Sequence, residues 1–475
     1  MSHANLDTTT ADPSAPSDRR RTLAMVCLLV ATFMELMDAT VVNVALSELE
    51  RTLGASPADL QWVVAGYPLA YAAGLIVGAR LGDRFGRRRV FLIGLAAFGL
   101  FSLGCGLALD PTQLIIGRLL QGAAGALMVP QVLANIQVMY PPAERGRAMG
   151  MFTSVIGIAG IAWPITGGLL TNANLLGLGW RPIFLINVPV ALLGVLAGRV
   201  LIEESRAERP ASITVGSALL LGGSMAGVMV GVTMGPEHGW AWWTIAVAGL
   251  GVLLLVCFVG VQRRIERAGG TALVPSSLFT VQSFRRGVLA YALLSLPSGG
   301  FFLVHSIHVQ HALGWSTLHT GLSYVPFSIA TSVAAALAAT KLVAAWGSRT
   351  LQVGAGVFAA GLLAMTAAEA SVWPGLWLLL AMTVAGAGFG MIVGSSGLLI
   401  LHDVPVELAG AASGVFNTVS ALSVAFGAGA VGAVYANVAG SPDAAYRAAM
   451  WVMVGLLVAG LMLAAGLHRT ARTSG

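Results

Sequence analysis

The chain has 475 residues, of which 57% are hydrophobic and only 10% charged, and its mean hydropathy is +0.83. Soluble domains carry roughly 25% charged residues, so a water-soluble globule is excluded and an integral membrane protein is indicated. The net charge of +6 is scattered over many short connections instead of one surface, which argues against binding to nucleic acid.

In chain order, residues 1–21, rich in Ser, Thr, Asp, Ala and Arg, read as a disordered tail. The helix that follows is too long for the core of a cleaved signal peptide and contains Glu35 and Asp38. A window of about 20 residues then finds fourteen apolar runs: 23–46, 60–79, 90–109, 112–138, 148–170, 181–201, 212–234, 241–261, 287–309, 320–341, 350–368, 375–399, 409–435 and 446–467. The termini and the even-numbered connections hold 22 of the 26 basic residues; Arg51, Arg181 and Arg447 lie on the other side. Cytoplasmic loops carry the Lys/Arg excess, so both termini are expected in the cytoplasm of a multi-pass cell-membrane protein. Cys27, Cys105 and Cys257 fall in apolar runs without metal-ligand spacing and read as small buried hydrophobes.

Arg118 breaks this charge pattern. It lies inside 111–135 (PTQLIIGRLLQGAAGALMVPQVLAN), where a guanidinium costs at least about 2.5–3.5 kcal/mol to insert and therefore faces a cavity or a partner. The other charged groups at comparable depth are Glu35 and Asp38, three residues apart and so on one helix face. Two carboxylates in a low-dielectric cavity do not readily ionise together, and they titrate as a pair. Such a pair suits reversible protonation. The linear sequence leaves open whether Arg118 meets Asp38.

Two segments repeat at an offset of about 260 residues: PPAERGRAMGMFTSV (141–155) with VPVELAGAASGVFNTV (404–419), and RFGRRRVFLIG (84–94) with WGSRTLQVG (346–354). In both cases the second copy lies eight runs later. Two six-helix halves with a helix pair inserted between them account for that spacing, and transporters built on such repeats bind substrate near the midplane. The expected organisation is an all-α membrane protein of 14 transmembrane helices. The tail is 1–21, the first half 22–201, the inserted two-helix region 202–270, the second half 271–468 and a cytoplasmic tail 469–475.

Six segments in order carry a family resemblance: FMELMDATVVNVALSELE (33–50), QWVVAGYPLAYA (61–72), ARLGDRFGRRR (79–89), GRLLQGAAGALMVP (117–130), AWPITGGLL (162–170) and WRPIFLINVPV (180–190). Over nearly its whole length the chain resembles the major facilitator superfamily, specifically its 14-helix drug:proton antiporter branch. That resemblance implies proton or cation handling by Asp38, with Glu35 beside it, and proton coupling by Arg118. It implies a cytoplasmic latch in which Asp83 sits against helix ends of the other half, with Arg84, Gly86, Arg87 and Arg88 around it. The family has Gly where Ala79 stands, which predicts a looser backbone approach there. Gly150, Gly157, Gly160, Pro164, Gly167 and Gly168 give small-residue faces for close helix contact, and 164–168 matches the motif of exporters as opposed to importers. Trp163 stands where that pattern has Gly, which predicts disturbed packing and a reshaped cavity.

Substrate-cavity candidates are Asn43, Gln61, Trp62, Tyr67, Gln121, Trp163, Gln310 and Asn417, with Asn187, because aromatic faces and a few amides suit amphipathic ligands. His305, His308 and His311 read as solvated interfacial residues and not as a metal site. No nucleophile–base constellation points to an enzyme, and no cofactor is implied. The expected function is proton-coupled export of small amphipathic compounds by a monomer in a bacterial membrane, with membrane lipids, protons and the substrate as its partners. An importer or uniporter on the same fold and a non-transporting sensor are the alternatives.

Overall fold

The computed structural model describes residues 18–173, 177–206, 215–270, 272–368, 374–405 and 408–468. The expected tails at 1–17 and 469–475 lie outside the described residues, whereas 18–21 form the first turn of a helix. The first half comprises α1 (Asp18–Val41), a 3₁₀ turn (Val42–Ala45), α2 (Leu46–Leu53), α3 (Pro57–Phe85), α4 (Arg87–Gly106), α5 (Pro111–Met139), α6 (Pro142–Asn172), α7 (Pro182–Leu185) and α8 (Asn187–Leu201). Next come α9 (Val215–Glu237) and α10 (Trp242–Arg267). The second half comprises α11 (Gln282–His311), α12 (Thr317–Leu337), α13 (Val343–Trp346), α14 (Arg349–Ala368), α15 (Pro374–Leu401), α16 (Ala409–Asn437) and α17 (Pro442–His468).

Local chemistry sets several boundaries. Ser56 and Asp59 form a capping box ahead of Pro57, with Ser56 N–H donating to Asp59 Oδ2 at 2.9 Å and Asp59 N–H to Ser56 Oγ at 3.2 Å. Asp110 caps α5 ahead of Pro111 by accepting from Gln113 N–H at 2.9 Å. Twelve described helices are long and apolar enough to cross a bilayer. A thirteenth span is α3, bent by 47° between Leu75 and Val77, where Gly74 and Gly78 flank the break. The remaining expected span is α9, whose apolar stretch Leu219–Gly235 is shorter. Fourteen apolar segments are therefore present in the expected order, although not all pass the length test.

The inserted pair packs at the edge of the molecule. Gly227 and Gly251 bring α9 and α10 together so closely that a Cβ on Gly251 would sit 2.6 Å from Val228 N. α9 also touches α3 and α16, one from each half, while the packing of α10 is dominated by α9. Leu250, Val252, Leu253 and Val256 on α10 are more than half exposed, a surface suited to lipid. Cys257 shares that exposure, contrary to the expectation of burial; Cys27 and Cys105 are buried.

The two halves meet at the end opposite the arginine-rich connections. There α6 and α12 approach so closely that a Cβ on Gly321 would lie 2.1 Å from Pro164 O. Ser306 Oγ donates to Asn43 O, Gln310 Nε2 donates to Val44 O at 3.2 Å, and His311 Nε2 lies 3.1 Å from Glu50 Oε2. Toward the arginine-rich end α6 and α12 part: Ser332 Oγ still reaches Gly157 O at 3.5 Å, but nothing lies within 4 Å of a Cβ on Gly150.

Candidate functional site

The arginine of α5 is buried because small residues let three helices close over it. A Cβ on Gly122 would stand 2.2 Å from Tyr67 O, one on Gly125 2.8 Å from Tyr67 Oη, and one on Gly117 2.6 Å from Cys105 Sγ. This intimacy of α5 with α3 and α4 lays the Tyr67 ring 4.6 Å from the Arg118 guanidinium, with Phe184 at 5.7 Å.

Arg118 and Asp38 form an ion pair, Nη1 to Oδ2, of 2.5 Å, and both side chains are fully buried. Arg118 also donates from Nη1 to Gln121 Oε1 at 2.9 Å and from Nε to Val63 O at 3.3 Å. Asn187 Nδ2 donates to Asp38 Oδ1 at 2.6 Å and to Ser102 Oγ at 2.9 Å. Ser102 Oγ accepts from Gln121 Nε2 at 3.1 Å and donates to Phe184 O at 2.9 Å. Glu35, one turn before Asp38, accepts from Tyr67 Oη at 2.8 Å, and Tyr67 stacks on Tyr71. Each oxygen of Asp38 thus has a donor, as a buried carboxylate requires. Arg118 Nη2 has no hydrogen-bond partner among the described residues. The network is enclosed within the first half and draws on α1, α3, α4, α5, α7 and α8.

Of the other cavity candidates, Tyr67, Gln121 and Asn187 belong to this network. Asn43, Gln61, Gln310 and Trp163 lie instead at the seam between the halves. The Gln61 amide, oriented to satisfy its neighbours, donates to Gly429 O at 3.2 Å and accepts from Ala433 N–H at 3.3 Å. Trp163 packs on Phe302 at 5.5 Å and Tyr324 at 5.0 Å, both from the second half. Packing around Trp163 stays tight, contrary to expectation: Gly167 meets Val41 and Val44, and Gly168 meets Leu318. The bulk enters the other half without pushing the helices apart. Trp62 is buried, its indole nitrogen without a hydrogen-bond partner among the described residues, and Asn417 is exposed, its amide donating to Ser413 O at 3.0 Å. A cleft of about 410 Å³ at the arginine-rich end is lined by Arg21, Met25, Leu29, Tyr140, Glu144 and Arg147 among others, and by none of these candidates.

The expected latch has a different arrangement. Asp83 pairs with Arg87 of its own half at 2.9 Å. Its described ion pairing does not reach the second half. Glu204 takes the central place: its carboxylate accepts from Arg88 N–H at 3.1 Å and lies 3.8 Å from both the Arg88 and Arg89 guanidiniums. Gly86 makes room for it, since at φ +111° an L side chain is strained and a Cβ would lie 2.5 Å from Glu204 Oε1. Arg84 lies over Phe85 at 5.5 Å. One residue before Ala79, Gly78 brings α3 against α5, where its Cβ would lie 2.0 Å from Ala126 O. No local signal in the sequence distinguished Glu204 from other loop acids.

The histidines also depart from expectation. His305 and His308 are buried in the second half, and only His311 is exposed. Desolvated aromatic neighbours on α12 and α17 enclose them, which periodicity within α11 alone cannot reveal. Among the described residues no group of three or more His, Cys, Asp or Glu could hold a metal ion.

The family model described as Major Facilitator Superfamily matches residues 28–218 and 205–428. The chain is 36% identical over 439 residues to a probable actinorhodin transporter of Streptomyces coelicolor, covering 92% of this chain and 75% of that one. It is 32% identical to the tetracenomycin C resistance and export protein of Streptomyces glaucescens, covering 88% of this chain and 77% of that relative. It is 33% identical to a cephamycin export protein of Amycolatopsis lactamdurans, covering 86% and 83%. A bacterial homologue of the human lysosomal transporter Spinster, in an inward-facing and occupied conformation, shares the fold with a TM-score of 0.69 at 16% identity, over 96% of this chain and 98% of that one.

Proposed function

The chain belongs to the major facilitator superfamily, and on that premise we propose that it exports small amphipathic compounds in exchange for protons by alternating access. Relatives named for the transport or export of antibiotics support the substrate class and direction. The observation that carries the proton coupling is the buried Asp38–Arg118 pair and its place on α1. A proton arriving at Asp38 cancels its charge and removes the main reason for Arg118 and Asn187 to hold it. Asp38 lies just before the 3₁₀ turn Val42–Ala45, whose Asn43 and Val44 carbonyls accept from Ser306 and Gln310 of the other half. A 3₁₀ stretch within a longer helical run is a common hinge. Loosening α1 at Asp38 is thereby transmitted along one helix to the seam. Glu35 and Tyr67 supply a second carboxyl and a hydroxyl for relaying the proton.

The arginine-rich end faces the cytoplasm in this reading, with both termini there, in a bacterial cell membrane. The protein works as a monomer, without a cofactor, driven by the proton gradient. One charge crossing 100 mV supplies about 2.3 kcal/mol, and about 1.4 kcal/mol is tenfold in concentration. One proton exchanged for one neutral substrate therefore sustains a gradient of roughly fifty-fold before any pH difference.

The test is an acid pulse applied to proteoliposomes loaded with candidate compounds, beginning with those for which the relatives are named. Flux of a compound against its gradient, driven by pH or voltage and lost in Asp38→Asn, supports the reading. Flux that ignores both gradients in the wild type ends it, and counterflow in the opposite direction alone would make the protein an importer.

A further inference from the structure

We propose that His308 is a second proton-binding site, in the half that lacks the buried ion pair, with Asp443 as its counter-charge and the Tyr446 ring as its platform. The idea rests on the reading that protons drive the transport cycle, but it is built from a different set of side chains. The imidazole of His308 stacks on Tyr446 with centroids 4.0 Å apart and planes 15° apart. Its Nε2 lies 4.0 Å from Asp443 Oδ1, and while the histidine is fully buried, that carboxylate is about half exposed. An imidazolium there has a π face on one side and a carboxylate at its edge, the two features that stabilise a desolvated cation. Asp443 gives the proton a route from the surface at the end opposite the arginine-rich connections.

Neighbouring His305 shows why His308 is the acceptor. Ser323 Oγ spends its proton on Thr320 O at 2.7 Å, so it can only accept from His305 Nε2–H at 3.2 Å. His305 Nδ1 is then left to accept from Tyr446 Oη at 3.5 Å. His305 is thus satisfied as a neutral ring, and the next proton belongs to His308. From the surrounding helices, the titratable or charged groups at this nest include Asp443 and Tyr446 of α17, with the exposed Arg447 one turn beyond Asp443, Tyr435 of α16 with its ring 6.3 Å from that of His308, and Tyr324 of α12. α15 has no ionisable side chain, and Glu50 of α2 meets the third histidine, His311.

A charge on His308 pulls α11 toward α17. Ser306 and Gln310, within one turn of His308 on α11, hold the seam to the first half. Proton binding at His308 therefore biases whether the end opposite the arginine-rich connections opens.

The experiment is a ¹⁵N-histidine NMR titration of the full chain in lipid nanodiscs, with His305→Gln and His308→Gln assigning the two buried signals among the eight histidines. Between about pH 8 and about pH 5, where imidazoles change charge, the His308 signal is expected to move from the neutral to the protonated position while His305 stays neutral. Asp443→Asn, a change at an exposed site that spares the fold, is expected to abolish that movement. A His308 signal that stays neutral throughout, or that responds identically in Asp443→Asn, overturns the proposal. In proteoliposomes, Asp443→Asn should keep voltage-driven, Asp38-dependent flux and lose its response to pH on the side bearing Asp443. A retained response to that pH also overturns the proposal. The titration needs no transport, so its failure is distinguishable from an Asp38→Asn variant that transports normally.

Discussion

The two halves hold polar groups in their interiors by opposite means. In the first half an ion pair is buried outright, and every neighbour is arranged to answer its charge: Asn187, Gln121, Ser102, the Val63 carbonyl and the Tyr67 ring. In the second half, packed aromatic rings dominate, with Phe301, Phe302, Phe327, Phe358 and Phe389 running beside Tyr324 and His305 in stacked, edge-on and tilted contacts. A buried ion pair contributes little net stability but is costly to break from one side. An aromatic core contributes stability and contains little that a proton can switch. Under the proposed mechanism the first half changes state and the second resists, with His308 the exception at its edge.

The largest effect expected is from leaving one charge of the pair alone. Asp38→Ala strands Arg118 in a dry interior and should cost about 3–5 kcal/mol, visible as a lower melting temperature of the purified protein along with loss of coupled flux. If Asp38→Ala melts like the wild type, the pair is not the desolvated one described. Trp163→Ala removes a large first-half side chain that packs into the aromatic core on Phe302 and Tyr324, and truncating a buried Trp costs about 3–5 kcal/mol. Its distinguishing consequence is at the seam: with Asp38 left in place, accessibility of a cysteine placed at Gln310 should rise in Trp163→Ala. Equal accessibility with and without the Trp163 side chain would remove Trp163 from the seam.

Gly122→Ala places a methyl against the Tyr67 carbonyl and should cost about 1–3 kcal/mol, with substrate flux falling because the Tyr67 ring moves off Arg118. The smallest effect is at Glu50. Its pair with His311 is about two-fifths exposed on each side, and such pairs are worth about 0–1 kcal/mol. Glu50→Gln should leave the melting temperature nearly unchanged. A large loss there would mean the seam depends on charge more than on Gly321, Pro164 and Trp163.

Much of the fold was legible because hydrocarbon thickness imposes one length on every segment, so Arg87–Gly106 or Gln282–His311 announces itself by hydropathy alone. α9 was the hardest because its apolar stretch is short and rich in glycine. Arg118, Asp38 and Glu35 stood out because charge at that depth demands a reason. Their meeting, and the part played by Ser102 and Asn187, required three dimensions: Asp38 is met by Arg118, 80 residues along the chain, and by Asn187, 149 residues along it. Glu204 and the burial of His308 were illegible for the same reason. What makes each of them special is a neighbour on another helix, Gly86 in one case and Tyr446 in the other.

The measurement that tests the account most directly is proton release from the purified protein on addition of a transported compound, followed with a pH indicator in weakly buffered detergent solution. Wild-type protein should release protons when the compound binds, and Asp38→Asn should bind it with no release from that site. Binding without any proton release by the wild type, or unchanged release by Asp38→Asn, would contradict the claim that the Asp38–Arg118 pair links proton to substrate.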